Sequence, residues 1–177
     1  IPIGFLQRVQ GKRQSEADLF ARETKRVEML AMQAVMAAEQ ALGHEPRDVS
    51  REKCGYDIES RVPGSGDQPS RVRFIEVKGR IKGAETVTVT KNEILTALNK
   101  PENFVLALVQ VPESADFPEG DAFKVSTTKG SYNVGDNGCV VRYVVNPFHK
   151  EPDFKADSVN YNWKELWSQG REPGGIA

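Results

Sequence analysis

Phe74-Ile75-Glu76-Val77-Lys78-Gly79-Arg80 decides how this chain is read. In the run from Arg71 to Arg80 the side chains alternate, so Phe74, Glu76 and Lys78 fall on one face of a strand and Arg73, Ile75 and Val77 on the other. Charged groups set in the middle of apolar strands are costly to bury alone; they require a metal, a polar ligand or one another. Working backward, Pro63 to Pro69 is dense in turn formers, and Gly55-Tyr56-Asp57-Ile58-Glu59-Ser60 reads as the preceding strand. A hairpin in register brings Asp57 across the ladder from Glu76 and Lys78.

Further back, Ser15-Glu16-Ala17-Asp18 has the form of a capping box. The stretch from there to Leu42 lacks Pro and Gly and carries Leu19, Phe20, Val27, Leu30, Val35 and Met36 at roughly helical spacing. It predicts one long helix or two abutting ones, ended by Gly43 and then Pro46.

Forward of the central strand, Gly83 marks a turn and Thr86-Val87-Thr88-Val89-Thr90 is strongly β-prone. Thr90-Lys91-Asn92-Glu93 forms a second capping box, opening a helix that reaches Lys100 before Pro101. The apolar run Phe104 to Val111 fits a strand buried on both faces, as a parallel strand after a crossover helix would be. Weaker strand signals follow at Ala122 to Val125 and a stronger one at Cys139 to Val145; Trp163, Leu166 and Trp167 predict a short last helix packed on the body by its indoles. The order helix, strand, strand, short strand, helix, strand predicts an α/β fold whose hairpin sheet is extended by one crossover.

With 177 residues the chain holds one ordinary domain. It divides into a charged segment 1–14, a folded domain 15–169 and a flexible tail 170–177. Hydrophobic residues at 38%, charged residues at 28% and a net charge of -1 argue against wholesale disorder and against a uniformly basic nucleic-acid coat. Basic charge is local instead. From Ser70 to Lys100, Arg71, Arg73, Lys78, Arg80, Lys82, Lys91 and Lys100 outnumber Glu76, Glu85 and Glu93, a candidate phosphate-facing surface.

Cys54 and Cys139, with His44 and His149, have no zinc spacing, and both cysteines read as reduced buried thiols. The absence of a long apolar run or a signal-like start predicts an intracellular protein with no membrane partner. A start without Met on a charged segment reads as a piece of a longer polypeptide.

Two carboxylates and an ammonium on one face suit phosphodiester hydrolysis. Hard oxygens hold Mg²⁺ or Mn²⁺, the ion polarises the phosphate and acidifies a water, and a lysine orients that water or offsets developing charge. Glu39, near the end of the long helix, is either a third carboxylate at the same edge or a solvated helix residue. Lys91 and Asn92 at a helix start suit a phosphate contact as well as ordinary capping, and Arg80 and Lys53 add positive charge. Without a metal, Asp57, Glu76 and Lys78 reduce to a cross-strand ion pair worth ~0.5 kcal/mol.

Asp57, 18 residues, then Glu76-Val77-Lys78, with a helix bearing Glu39 before and a strand and helix after, resembles the PD-(D/E)xK superfamily of restriction-like nucleases and Holliday-junction resolvases. Cys54 to Ser60, Phe74 to Arg80, Thr88 to Glu93 and Tyr143 to Pro147, in that order, more closely resemble the domain family named for the C-terminal part of the plant protein NO VEIN. Tyr56 stands where the superfamily's name has proline.

The resemblance covers roughly Glu28 to Trp167. It implies a restriction-endonuclease-like αβββαβ core, a mixed central sheet flanked by helices, with an extra C-terminal strand and helix. It implies Asp57, Glu76 and Lys78 as catalytic residues, with Asp57, Glu76, the Val77 carbonyl and Glu39 as ligands of Mg²⁺ or Mn²⁺. It implies DNA as substrate, for which Lys91, Asn92, Arg80 and Lys53 are the expected contacts by position and charge, and a setting in a larger bacterial-type cytoplasmic protein of DNA defence or repair, beside a helicase-type ATPase. Pairing of two copies is a further expectation. The competing expectation is a catalytically silent DNA-binding, sensing or docking module of the same fold, and a third is a protein-interaction domain.

Overall fold

The computed structural model describes residues 3–113, 133–134 and 138–176. The first helix, α1 (Ile3–Ala41), is one continuous rod of 39 residues. It passes straight through Ser15, so the expected capping box there caps nothing; cap sequences mark helix starts only where the chain before them leaves the helix. Gly43 ends α1 at a φ of +79°, and the His44 N–H reaches back 3.0 Å to the Glu39 carbonyl.

An edge strand that the sequence did not signal, β1 (Glu45–Asp48), pairs antiparallel with β2 (Ile58–Val62), which pairs antiparallel with β3 (Arg71–Ile81). β2 starts at Ile58, so Asp57 stands at its entrance, held by its own N–H on the Ile75 carbonyl at 2.9 Å. The expected third strand, β4 (Thr86–Thr90), forms but leaves the central sheet; its partner is β8 (Ser158–Asn162), in a separate two-stranded sheet. Helix α2 (Lys91–Asn99) begins at a complete capping box between Thr90 and Glu93 and leads to β5 (Phe104–Val111), which lies parallel to β3.

The central sheet runs β1-β2-β3-β5-β7-β6, with β7 (Cys139–Val145) antiparallel to β5 and the two-residue β6 (Asn133–Val134) outermost. The expected strand at Ala122 to Val125 lies outside the described residues. The last helix, α3 (Trp163–Gln169), buries Trp163 and Leu166, and Trp163 stacks on Trp167 at 5.6 Å.

β5 sorts the core into two layers. Val105, Ala107, Val109 and Val111 meet Ala31, Ala34 and Val35 of α1, while Phe104, Leu106 and Leu108 meet Ile94 of α2 and Trp163 of α3 on the other face. That alternation on a strand with no exposed residue is the physical basis of its near-continuous apolar sequence.

Where α1 crosses β3 there is no spare room. A Cβ on Gly79 would come within 2.7 Å of the Ala31 Cβ and 3.2 Å of the Val27 carbonyl. Gly79→Ala is therefore expected to cost about 1–3 kcal/mol by overpacking, read as a lower urea midpoint at unchanged slope.

Residues 170–176, expected as a flexible tail, pack on the body. Arg171 exchanges two backbone hydrogen bonds with Tyr143, and the Ile176 carbonyl accepts from Arg73. Pro173 is buried and Ile176 packs against the α1 side of the core, but two apolar residues among glycines and charges are too few to mark a packed segment in the sequence. No helix is long and apolar enough to cross a membrane among the described residues.

Candidate functional site

Past the entrance of β2, this edge of β3 has no neighbouring strand among the described residues, and its backbone is used differently. The Val77 N–H donates to the Asp57 Oδ2 at 3.0 Å. In a strand the N–H and C=O of one residue leave toward the same side, so the Val77 carbonyl also faces the open edge beside Asp57. Glu76 and Lys78 share their face of β3, as the alternation predicts, and the Lys78 Nζ lies 2.9 Å from the Glu76 Oε1.

Its other contact was not foreseen: the Glu93 Oε2 lies 2.7 Å from the Lys78 Nζ. Glu93 was read only as the closing residue of the α2 cap, which it is, since its carboxylate also accepts from the Thr90 N–H. The capping motif was legible; that the start of α2 faces the end of β3 was not, because β4 intervenes and its place outside the sheet has no local signature.

These groups line a cavity of about 670 Å³ between α1, the loop after β1 and the start of α2. Lys25 and Glu28 of α1 and Asp48, Ser50 and Arg51 complete its rim. A second hollow of about 390 Å³ adjoins it, sharing Ser50, Asp57, Glu76 and Glu93 and adding Lys53, Gly55, Tyr56, Thr90 and Asn92.

The electrostatics follow from burial of like charges. Glu76 is only 4% exposed, and burial pushes its carboxyl up to about 9; the Lys78 ammonium opposes this, while Asp57 and Glu93 add to it. Burial also raises Asp57, against the Val77 N–H and the Lys78 charge. Burial works to lower the Lys78 ammonium, but Glu76 and Glu93 outweigh it and the net shift is upward. Three carboxyl groups therefore gather around one ammonium, so that Glu76 keeps its proton at neutral pH and a further cation would favour its release.

Among the described residues no three Asp, Glu, His or Cys side chains stand together in ligating geometry. Asp57 and Glu76 nonetheless form a hard-oxygen pair of the kind that suits Mg²⁺, which takes one or two carboxylates and keeps several waters. By the chemistry of its donors the pair fits the ion.

Four expected residues are placed differently. Glu39 is fully buried on the α1 face of the sheet, the face opposite Glu76. It is also eleven residues beyond Glu28, about 16 Å along the helix. Its Oε1 accepts from the Tyr143 hydroxyl at 2.8 Å and from Arg73 at 3.3 Å, and its Oε2 accepts from Ser60 at 2.7 Å and faces the His44 Nδ1 at 2.7 Å. Glu39 is thus neither a ligand at this edge nor solvated; the α1 acid at the cavity is Glu28, which helical periodicity alone left indistinguishable from other exposed acids.

Lys91 turns away from the cavities, its Nζ on the Phe154 carbonyl at 2.9 Å. Arg80 is exposed on β3 and lines neither hollow. Cys54, expected buried, is exposed beside Lys53, whereas Cys139 is buried and its thiol pushed up to about 11 by desolvation. Lys53 and Asn92 do border the site, in the second hollow.

No match was found among curated proteins or among solved structures. The family model described as Protein NO VEIN, C-terminal, matches residues 27–119, from the middle of α1 through β5 and so across Asp57, Glu76, Lys78 and Glu93. The chain belongs to the Protein NO VEIN C-terminal family.

Proposed function

We propose that this chain is a divalent-cation-dependent DNA endonuclease with a restriction-endonuclease-like core. The observation that carries the reading is the meeting of Asp57, Glu76 and Lys78 at an open strand edge that lines a cavity. Support for the core comes from the order of elements: a helix, the antiparallel run β1-β2-β3, then α2 and a strand parallel to β3.

Asp57, Glu76 and the Val77 carbonyl would hold Mg²⁺ or Mn²⁺, which when bound polarises the scissile phosphate and acidifies a water. The Val77 N–H fixes the Asp57 carboxylate in place at the cavity wall. Lys78, steadied by Glu76 and Glu93, orients the attacking water and offsets charge on the phosphate. Arg51 and Lys25 on the rim supply positive charge for the flanking backbone. On this reading the chain acts inside the cell as the nuclease part of a larger, helicase-associated protein of DNA defence or repair.

Supercoiled plasmid incubated with Mn²⁺ or Mg²⁺ is expected to be nicked by the wild type. Asp57→Ala should lower the rate by about 100-fold or more, and chelation should stop it. Equal nicking by both proteins would trace the activity to a contaminant. A silent DNA-docking module is the second reading, favoured by the pairing of Lys78 to both Glu76 and Glu93. Salt-dependent DNA binding that survives Glu76→Gln, with no nicking under either metal, would select it.

A further inference from the structure

The second hollow is built, and phosphate hydrolysis at Asp57 and Glu76 gives no role to Tyr56 in its wall. Its wall is a loop pressed onto α2. Lys53 and Gly55 both take positive φ, at 51° and 91°, and a Cβ on Gly55 would overlap the Thr96 hydroxyl. This close approach sets Tyr56 in the wall, its ring packed on Phe74 at 4.6 Å, with the Lys100 ammonium covering Phe74 at 4.4 Å. The Tyr56 ring is thereby backed on one side and half-buried.

Asn92 and Lys53, both exposed, line the same hollow. No other side chain occupies the polar end of either among the described residues. An aromatic face, an amide with two donors and an acceptor, and an ammonium at the rim are the three groups that take a nucleobase: one stacks, one reads an edge, one meets a phosphate. The hollow shares Asp57 and Glu76 with the first cavity, so a base that fills it would lie beside a phosphate held there.

We propose that the hollow formed by Tyr56, Asn92 and Lys53 is a subsite for an unstacked nucleobase adjoining the scissile phosphate, so that the preferred substrate is DNA with an unpaired nucleotide. The inference rests on the nuclease reading for the position of the phosphate. A base inside a duplex presents only its edge, and bringing it against Tyr56 requires unstacking it first. A flap, overhang or bulged nucleotide arrives already free. The amide of Asn92 meets donors and acceptors alike, so the subsite favours unpaired bases without strong choice among them.

The test compares fluorescent oligonucleotides of one sequence as blunt duplex, as duplex with one bulged nucleotide, and with that nucleotide abasic. Binding is followed by anisotropy in Ca²⁺ and cleavage in Mn²⁺, with wild type, Tyr56→Ala, Tyr56→Phe and Asn92→Ala. The wild type should bind the bulged duplex about tenfold more tightly than the blunt or abasic one. Tyr56→Phe should keep that ratio, Tyr56→Ala should reduce it toward one, and Asn92→Ala, an exposed change that leaves packing intact, should reduce it in part. Equal affinity for all three oligonucleotides, or a ratio untouched by Asn92→Ala and Tyr56→Ala, overturns the subsite. Cleavage without preference retains the nuclease and removes the subsite, whereas base-dependent binding without cleavage does the reverse.

Discussion

Glu39→Ala is expected to cost about 3–5 kcal/mol of stability, a large part of the 5–15 kcal/mol that a domain of this size has in total. The carboxylate is wholly buried and is met by Tyr143, Arg73, Ser60 and His44. Arg73 is itself only 6% exposed, so alanine leaves a guanidinium in the core without its counter-charge and two hydroxyls without their acceptor. Urea denaturation followed by tryptophan fluorescence reads the loss directly, and added Mn²⁺ will not restore it. A midpoint within experimental scatter of the wild type would show the network to be dispensable. Any cleavage activity, counted per folded molecule, should be unchanged, because Glu39 faces the side of the sheet away from Glu76.

Lys78→Ala is expected to do the opposite: leave the core intact, abolish cleavage and tighten divalent-ion binding. The ammonium sits 2.9 Å from Glu76 and 2.7 Å from Glu93, so an incoming cation must share Glu76 with it. On the proposed nuclease reading, removing it deprives the attacking water of its orienting group, an expected loss of about 10²–10⁴-fold in rate. It also leaves Asp57, Glu76 and Glu93 mutually repelling, which lowers the melting temperature without metal and enlarges the rise on adding Mn²⁺. Nicking at the wild-type rate would remove Lys78 from the chemistry. A melting temperature indifferent to Mn²⁺ in both proteins would argue against an ion at this edge.

The two substitutions separate what the sequence disclosed from what it did not. The meeting of Asp57, Glu76 and Lys78 was legible because strand alternation has a period of two, and one turn-rich segment sets the hairpin register. β5 was legible because burial on both faces leaves an unbroken apolar run. The partner of β4 was not: its alternating exposure says only that one face is covered, and Ser158–Asn162, the strand that pairs with it, lies far along the chain and is polar. β1 carries Pro46 among three charged residues and shows no period at all.

Glu39 was misplaced for a related reason. Helical spacing identifies the side of α1 that turns inward, yet whether an inward acid meets a metal or a ring of donors depends on β2, β3 and β7, which converge on it only in three dimensions. Glu93 hid its second role behind a correct local one.

The closing of residues 170–176 over β7 also orders events in time. Glu39 and Tyr143 are separated by 104 positions and Arg73 and Ile176 by 103, so these contacts close loops that span most of the chain. As synthesis proceeds, α1 and the β1-β2-β3 edge can form, with Asp57 and Lys78 aligned and with His44, Ser60 and Arg73 already available to Glu39, while Tyr143 is still unmade. The edge that carries Asp57 thus rests on early, local pairings, whereas the Tyr143 contact of Glu39 and the Ile176 contact of Arg73 close late, on the opposite face of the sheet.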